Sequence, residues 1–538
     1  MKQLLFNGKI RTDKDTYVSE VLIEDGVIQA TGEKLLSNIR NEAVKKIDLG
    51  GRLALPGFND SHMHFLNVGY NCRQINLDQT HSISEVVALC KEKLADKQLQ
   101  QGQWIRCFRW NEYNWEEKRY INRYDLDQIS TEYPILAIRA CVHFASLNTK
   151  AMEILGLFDK NAMYTGELEY DENGVPTGVT KEMLPFISEH LPEPSVEEIK
   201  RMLLDAGEMM AADGITSVQS DDFASVPGNN YQNIIQAFRE LSESGTLPVR
   251  VYEQCCLRNI TKYEEFQRNG FHTGMGNRLF RLGPLKVFCD GALGGRTAWL
   301  KEPYSDDPQN VGIPLYPDAQ ELYEVVLRAQ KDGMSVAIHC IGDAAIEQAI
   351  TAIEKAKAAY PEAKTRHGIV HAQILNAALI QRIKDADIIA YIQPAFLEYD
   401  LHVAEDRVGA ERLENSYHYR KLYNLGICIP FGTDSPVEDF SPMKNIYCAV
   451  TGKDYTGFPP GGWHPEKLLT LDEALHCYTE YSAYASFEEH CKGKIAPGFF
   501  ADIVVMDEDI TLMPKDQLQH ATVYLTMMNG NITYQKAQ

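Results

Sequence analysis

The chain has 538 residues, of which 44% are hydrophobic and 24% are charged, a composition typical of a large globular protein with an ample core. Its formal net charge of −22 repels phosphate backbones and anionic headgroups, so neither nucleic acid nor a membrane is an expected partner. No apolar run approaches the ~18 residues of a membrane span and no signal peptide is visible, so we expect a cytoplasmic protein.

Both ends of the chain carry short apolar runs separated by turn signals. Asn7-Gly8 and Asp25-Gly26 follow such runs near the N-terminus, and Asn529-Gly530 does so near the C-terminus. These dipeptides between apolar runs are typical of β-hairpins. Because chain ends often lie close together, we predict a small β-sandwich built from residues 1–52 and 491–538.

The middle of the chain, residues 53–490, alternates short apolar strands with amphipathic helical stretches. The eight candidate strands are residues 53–64, 215–221, 249–256, 282–290, 335–343, 368–373, 388–394 and 428–434. The candidate helices include residues 195–212, 231–243, 318–331, 343–359 and 471–485. Eight strands with intervening helices are typical of a (β/α)8 TIM barrel, so the predicted fold class is α/β.

A long interval separates the first two predicted strands. One strand–helix unit needs about 30 residues, so this interval must hold an insertion. Residues 72–190 within it are rich in Trp, Tyr and Arg. We predict an inserted subdomain over about residues 72–190 that covers the mouth of the barrel and places some aromatic residues of the segment 104–124 near the substrate.

Two histidines end the first predicted strand, in Asp60-Ser61-His62-Met63-His64. Alternate residues of a strand face the same side, so His62 and His64 project together and form half of a metal site. Taken alone, such a pair is more often two neighbouring core histidines.

Further metal-capable residues end the later strands. His339, His371 and Asp434 each follow an apolar run, at the face where barrel enzymes carry their catalytic groups. Five such side chains gathered without a metal would leave several buried polar groups in need of partners. The pattern therefore predicts a metal-dependent enzyme.

Lys286 lies inside the apolar fourth strand. Burial of an ammonium group is costly and lowers its pKa. A neutral lysine can react with carbon dioxide to give a carbamate that bridges two metal ions. A salt bridge between Lys286 and Asp290 explains the position equally well.

Several motifs occur in a characteristic order: LPGFNDSHMH, KVFCDGALGGRT, HCIGDAA, VHAQ, GTDSPV and GKIAPGFFADIVV. On these motifs nearly the whole chain resembles the amidohydrolase superfamily, specifically the YtcJ-like branch called amidohydrolase family 3.

The resemblance implies a centre of two divalent ions, usually zinc, whose ligands are His62, His64, Lys286, His339, His371 and Asp434. The first two histidines would bind one ion with Asp434, the other two histidines would bind the second ion, and the lysine would bridge both ions as a carbamate derived from carbon dioxide.

The implied reaction is hydrolysis of an amide-type C–N bond, other than a peptide bond, in a small molecule. A metal-bound hydroxide would be the nucleophile and Asp434 the general base and acid. His143 and Arg296 are candidate substrate contacts, and a homodimer is the expected assembly.

Other functions remain compatible with parts of the pattern. A mononuclear deaminase of the same superfamily would need no carboxylated lysine, so Lys286 discriminates against it. A catalytically inactive binding barrel would be expected to lack at least one ligand, yet all six are present. A serine hydrolase is disfavoured because no G-x-S-x-G motif occurs.

Overall fold

The computed structural model describes residues 2–38, 44–95, 102–141, 143–159, 161–257 and 259–537. Contacts divide the chain into two compact units. The first unit consists of Met1–Phe65, Leu203–Phe223 and Ile235–Gln538, and the second consists of Leu66–Met202 and Ala224–Ile234. Among the described residues, no helix is both long and apolar enough to cross a membrane.

Seven parallel strands form the sheet at the centre of the first unit, and neighbours in sequence are neighbours in the sheet. They are β1 (Phe58–Met63), β2 (Ile215–Ser220), β3 (Arg250–Cys256), β4 (Phe280–Phe288), β5 (Val336–Cys340), β6 (Gly368–His371) and β7 (Ile389–Tyr391). The predicted α/β barrel is confirmed, and its first seven strands fall within the predicted segments or within two residues of them.

The eighth predicted strand, residues 428–434, is not a regular strand. It joins β7 through a single parallel bridge between Ile392 and Phe431. On its other side, Ser61 N donates to Phe431 O at 2.9 Å, and Asp434 N donates to His62 O at 2.8 Å. Its hydrogen bonds to residues on both sides thus close the ring, although Pro430 lacks an N–H group and cannot donate to a neighbour.

The first predicted strand, residues 53–64, is two strands in the structure. Leu53–Pro56 pairs with strands Lys9–Asp13 and Ile503–Met506 from the two ends of the chain, and β1 begins at Phe58 in the barrel. Gly57 separates the two, and a Cβ atom there would lie 2.3 Å from the side chain of Thr216. Only glycine allows the backbone to pass β2 this closely.

The helices of the barrel region follow its strands. They are Val196–Ala212, Tyr231–Glu243, Ile260–Arg268, Ala319–Lys331, Asp343–Ala359, Ala377–Asp385, Ala404–Leu413, Tyr419–Asn424, Pro442–Thr451, Leu471–His476 and Ser482–Ala485. Side chains cap many of their N-termini; Asp318, for example, accepts a hydrogen bond from Gln320 N. The predicted helix 471–485 is continuous but contains one π-helical turn, Cys477–Tyr481.

Both chain ends build a two-sheet β-sandwich, as predicted. One sheet contains Val27–Gly32, Glu20–Glu24, Lys2–Phe6 and Lys45–Asp48; the other contains Asn531–Gln535, Val523–Met528, Ile503–Met506, Leu53–Pro56, Lys9–Asp13 and Thr16–Val18. Residues from both ends share its core, including Leu5, Ile23, Val505 and Leu525.

Two of the three predicted hairpins form in the sandwich. Asp25-Gly26 and Asn529-Gly530 connect antiparallel partners. The prediction for Asn7-Gly8 was wrong, because the strands on either side of this turn belong to different sheets. A dipeptide signals a tight turn but does not specify which strands pair after it.

The second unit has its own six-stranded sheet and apolar cores. Its strands are Glu167–Tyr170, Pro176–Lys181, Phe144–Leu147, Ile135–Arg139, Ile105–Trp110 and Ile75–Asn76, and its helices include Ile83–Ala95, Arg123–Asp127, Thr149–Ile154 and Leu184–Glu189. Trp110 and Trp115 are fully buried there and stack at 5.6 Å. These two tryptophans therefore fill the core of their own unit, and for the other aromatic residues of the segment 104–124 a place near the substrate stays a prediction.

Candidate metal centre

Six side chains converge at the C-terminal ends of the barrel strands. They are His62 in β1, His64 just beyond it, Lys286 in β4, His339 in β5, His371 at the end of β6, and Asp434 in the segment that closes the ring. These are the six residues chosen from the sequence as metal ligands. The structure brings all of them into contact with at least one other member of the set.

The first cluster joins His62, His64 and Asp434, whose ligand atoms all lie within 4.8 Å of one another. Asp434 Oδ1 lies 3.3 Å from His62 Nε2 and 3.2 Å from His64 Nε2. His62 and Asp434 are buried, and His64 is partly exposed. Two imidazoles and one carboxylate are ligands that zinc commonly takes in proteins.

The second cluster adjoins the first. His371 Nε2 lies 2.8 Å from His339 Nδ1, and the rings of His371 and His62 are 5.7 Å apart. Lys286 Nζ lies 2.9 Å from His62 Nε2 and 3.6 Å from Asp221 Oδ2. Lys286, on β4, thus contacts a histidine of the first cluster and an aspartate that follows β2.

In each of the four histidines, the ring nitrogen that faces away from the other candidate ligands lies beside a carbonyl oxygen. Nδ1 of His62 faces Gln254 Oε1, Nδ1 of His64 faces Asp221 O, Nε2 of His339 faces Gly291 O, and Nδ1 of His371 faces Gln393 Oε1. A carbonyl only accepts, so these nitrogens carry the protons, an assignment that for His371 follows from the Gln393 amide oxygen facing the ring. Such outer hydrogen bonds are the usual means of orienting metal-bound histidines.

This tautomer assignment supplies a test of fit for a metal. With their protons on the outer nitrogens, His339 Nδ1 and His371 Nε2 present two lone pairs to each other at 2.8 Å. Two lone pairs that face each other lack a proton between them and repel, unless a cation lies close to both. The donor set therefore fits divalent ions that accept imidazole and carboxylate ligands, zinc among them.

Burial keeps three of the histidines neutral. Burial, followed by the nearby Lys286 charge, lowers the pKa of His339 to about 3 and also lowers the pKa of His62. Burial and the neighbouring His339 lower the pKa of His371 well below its usual value. Neutral imidazole is the form that binds metal ions.

Asp434 and His64 form the charged part of the site. Burial alone would raise the pKa of Asp434, but the adjoining imidazoles of His62 and His64 outweigh it and hold this pKa well below its usual value. Burial would likewise lower the pKa of His64, but Asp434 raises it to about 9. Asp434 is therefore a carboxylate at neutral pH.

Two of the candidate ligands have backbone conformations that L-residues rarely adopt. The φ angles of His371 and Asp434 are 79° and 59°, and that of Ala372 is 46°. A non-glycine residue in the left-handed region costs about 1–3 kcal/mol and persists only where its surroundings impose it. His371 ends β6 and Asp434 ends the segment that closes the ring, and the unusual backbone lies where these two side chains join the candidate metal centre.

Two buried aspartates support the centre without pointing at it. Asp60 accepts hydrogen bonds from Thr433 Oγ1 at 2.7 Å and from His62 N at 3.1 Å, which ties β1 to the closing segment. Asp290 accepts from three backbone N–H groups, of Trp299, Ile341 and Gly342. Burial raises the pKa of both aspartates to about 7.

The contacts of Asp290 bear on the alternative interpretation of Lys286. The carboxylate of Asp290 accepts hydrogen bonds from backbone N–H groups, and its Oδ1 lies 3.6 Å from His339 Nε2. Among the described residues, the acid that pairs with Lys286 is Asp221. A salt bridge between Lys286 and Asp290 therefore does not explain the buried lysine.

His143 and Arg296, the two candidate substrate contacts, each form an ion pair with a nearby carboxylate. His143 belongs to the second unit, is largely exposed, and its Nδ1 lies 2.9 Å from Glu182 Oε1. Arg296 follows β4 and pairs with Asp306 at 2.8 Å. Their role in substrate binding stays a prediction.

The sequence analysis missed the glutamines that orient two of the histidines. Gln254 lies near the end of β3, and its amide orientation is set because Gln254 Nε2 also donates to Ser61 O at 3.1 Å. Gln393 follows β7. The signal available was the same as for the histidines, a polar residue that ends an apolar strand.

Replacing Gln254 with leucine is expected to lower metal affinity about 10–100-fold, because His62 loses the acceptor that orients it. Competition with a chromophoric chelator measures the affinity. Gln236→Leu, on the exposed face of helix Tyr231–Glu243, serves as the matched control and should bind metal as the wild type does. A folded Gln254→Leu protein with unchanged affinity would contradict the orienting role.

Comparison with known proteins gives matches along the whole chain. A model described as "Amidohydrolase family" matches residues 45–534. YtcJ of Bacillus subtilis (strain 168), named as an amidohydrolase, is 31% identical over 550 residues, with 100% of both chains covered. N-substituted formamide deformylase of Arthrobacter pascens is 24% identical over 559 residues, which cover 99% of this chain and 98% of that protein.

A similar fold occurs among solved structures. A metal-dependent hydrolase from Pyrococcus furiosus is 28% identical to this chain and aligns with a TM-score of 0.78. The alignment covers 95% of this chain and 99% of that chain. The likeness thus extends over both units and beyond the metal-binding motifs.

Proposed function

Because this chain belongs to the amidohydrolase family and is a hydrolase of that superfamily, we propose that it cleaves an amide-type C–N bond of a small molecule with the aid of two zinc ions. One observation carries the proposal. Four histidines, a lysine and an aspartate meet at one end of the barrel, and the three neutral histidines, His62, His339 and His371, turn their unprotonated nitrogens toward other members of this set.

The candidate ligands form two groups, which correspond to the first and second clusters described above. His62 and His64 with Asp434 would hold one ion, and His339 with His371 would hold the other. When bound, such ions polarise a carbonyl group and lower the pKa of a coordinated water to about 7.

Asp434 is the residue placed to move the proton. It contacts both His62 and His64 and is ionised, so it can accept a proton from the attacking water. The water oxygen bonds to the carbonyl carbon, the C–N bond breaks with its electron pair on nitrogen, and Asp434 returns the proton to that nitrogen. The products are a carboxylic acid and an amine.

Lys286 is proposed to carry a carbamate that bridges the two ions. Addition of carbon dioxide to its neutral amine forms an N–C bond, releases one proton and turns a potential cation into an anionic ligand. Its burial and its contact with His62 support this role. A mononuclear deaminase would have no use for a lysine at this position.

The class of substrate is suggested by one relative. N-substituted formamide deformylase is similar over nearly its full length, and its name describes hydrolysis of an N-substituted amide. We therefore place N-substituted formamides first among candidate substrates, ahead of N-acyl amino acids and cyclic imides.

The test combines metal content with turnover. Protein stripped by a chelator and reloaded with zinc should hold two ions per chain and hydrolyse at least one of these three substrate classes. Lys286→Ala should hold fewer ions and lose turnover, while the control Lys331→Ala, at an exposed lysine, should match the wild type.

The opposite result is equally clear. One ion per chain, no effect of Lys286→Ala on metal content, and release of ammonia from ring C=N substrates would favour the mononuclear deaminase and overturn the proposal of a binuclear amidase.

A further inference from the structure

An arginine of the second unit is partly buried and, among the described residues, has no acidic partner. Arg106 lies on strand Ile105–Trp110, its guanidinium carbon lies 3.2 Å from the centre of the Tyr70 ring, and its Nη2 donates to Tyr70 O at 2.8 Å. Its Nη1 is buried and makes no hydrogen bond with the residues that the structure describes. Within that same part of the chain, Arg106 forms no ion pair with a carboxylate.

This arrangement is costly in the absence of a further partner. A guanidinium group is charged at any physiological pH and offers five N–H donors. Burial lowers the pKa of Arg106 to about 9, which shows how strongly its surroundings disfavour the charge. The stacking on Tyr70 offsets part of the cost but satisfies no N–H donor. An acceptor that carries negative charge, placed against the accessible side of the guanidinium, would offset the charge.

Arg106 lines a cavity of about 160 Å³ that could hold such an acceptor. Its other walls are mainly apolar and include Tyr70, Trp104, Leu191 and Met202. A single water needs about 10–15 Å³ on the same measure. The cavity is therefore large enough for a small organic molecule and apolar enough to favour one.

Two glutamates also line the cavity, but each already has donors. Glu193 Oε1 accepts from Asn230 and Asn233, both at 2.7 Å. Glu198 Oε2 accepts from the backbone N and the hydroxyl of Ser195. Neither carboxylate forms an ion pair with Arg106 among the described residues. Arg73 also lines the cavity, so its charged side chains are two arginines and two glutamates.

We propose that this cavity is a binding site for a small monocarboxylate with an apolar or aromatic group. The carboxylate would accept from Arg106, and the apolar group would pack against Trp104, Leu191 and Met202. All of these residues belong to the second unit, whereas the six candidate metal ligands belong to the first. The site is thus distinct in its residues from the metal centre and does not depend on the proposed reaction.

Isothermal titration calorimetry on the full-length protein tests the proposal with three probes. Phenylacetate should bind, 2-phenylethanol should not because it lacks the charge, and inorganic phosphate should not because it lacks the apolar group. Arg106→Gln should weaken phenylacetate binding about tenfold or more, the loss expected for a charge-assisted hydrogen bond. Arg201→Gln, an exposed arginine of helix Val196–Ala212, should bind phenylacetate as the wild type does.

A second variant separates loss of the site from loss of the fold. Leu191→Trp keeps Arg106 but fills the cavity, so it should lose phenylacetate binding while its circular dichroism spectrum is unchanged. The proposal is overturned if the wild type does not bind phenylacetate, if phosphate binds in its place, or if binding survives Arg106→Gln. Survival would place the carboxylate elsewhere, for example at the metal centre.

Discussion

Asp434→Asn is expected to abolish turnover while the protein stays folded. The variant loses the group that accepts and returns the proton, which alone accounts for about 10²–10⁴-fold in rate, and it weakens the first cluster because Asp434 contacts both His62 and His64. Asparagine is chosen over alanine because it tolerates the left-handed backbone at this position, where φ is 59°.

Steady-state turnover and bound zinc per chain are the two measurements for this variant. Asp439→Asn is the matched control, because Asp439 lies in the same loop and bonds to Ser441 N and Lys444 instead of the histidines. Its activity should equal that of the wild type. Undiminished turnover in Asp434→Asn would mean that another group moves the proton, and the mechanism proposed here would fail.

Asp502→Ala is expected to lower the free energy of unfolding by about 3–5 kcal/mol. Asp502 pairs with Arg250 of β3 through two hydrogen bonds, of 2.6 and 3.0 Å, and both side chains are almost fully buried. Removal of the acid leaves a buried guanidinium without its counter-charge, a larger loss than the pair itself contributes. Asp502 also accepts from Asn529 N, so the turn of the last hairpin loses a contact.

Urea denaturation followed by circular dichroism measures the loss. Glu265→Ala, which breaks the exposed pair with Lys262, should stay within about 1 kcal/mol of the wild type. The double variant Arg250→Met with Asp502→Leu should recover much of the stability, since a buried pair replaced by apolar groups is often nearly neutral. An Asp502→Ala protein as stable as the control would show that water reaches Arg250.

The architecture of the barrel could be predicted because its strands are short apolar runs that each end in a polar residue. That one pattern gave both the α/β barrel and the candidate ligands, and the family membership inferred from the motifs is confirmed. The structure gathers the six chosen side chains at one end of the barrel, and their catalytic roles stay predictions, as do the cytoplasmic location and the homodimer.

Other features depend on contacts between distant segments, which local patterns do not contain. Gln254 contacts His62 across 192 positions of sequence, and a polar residue near the end of a strand does not by itself show which side chain it will contact. The segment 428–434 has the composition of a strand, yet Pro430 and the left-handed Asp434 leave it with a single bridge. Trp110 and Trp115 belong to the separate core of the second unit, which the sequence pattern of the segment 104–124 did not reveal.

The closure of the barrel by hydrogen bonds between β1 and the segment 428–434 has a consequence for biosynthesis. The last candidate ligand lies 372 positions after the first, Asp434 after His62, and long-range contacts of this kind form late in folding. A nascent or partly folded chain therefore carries an incomplete set of ligands. Under the proposed mechanism, hydrolytic activity would therefore arise only in chains in which the segment 428–434 has joined β1.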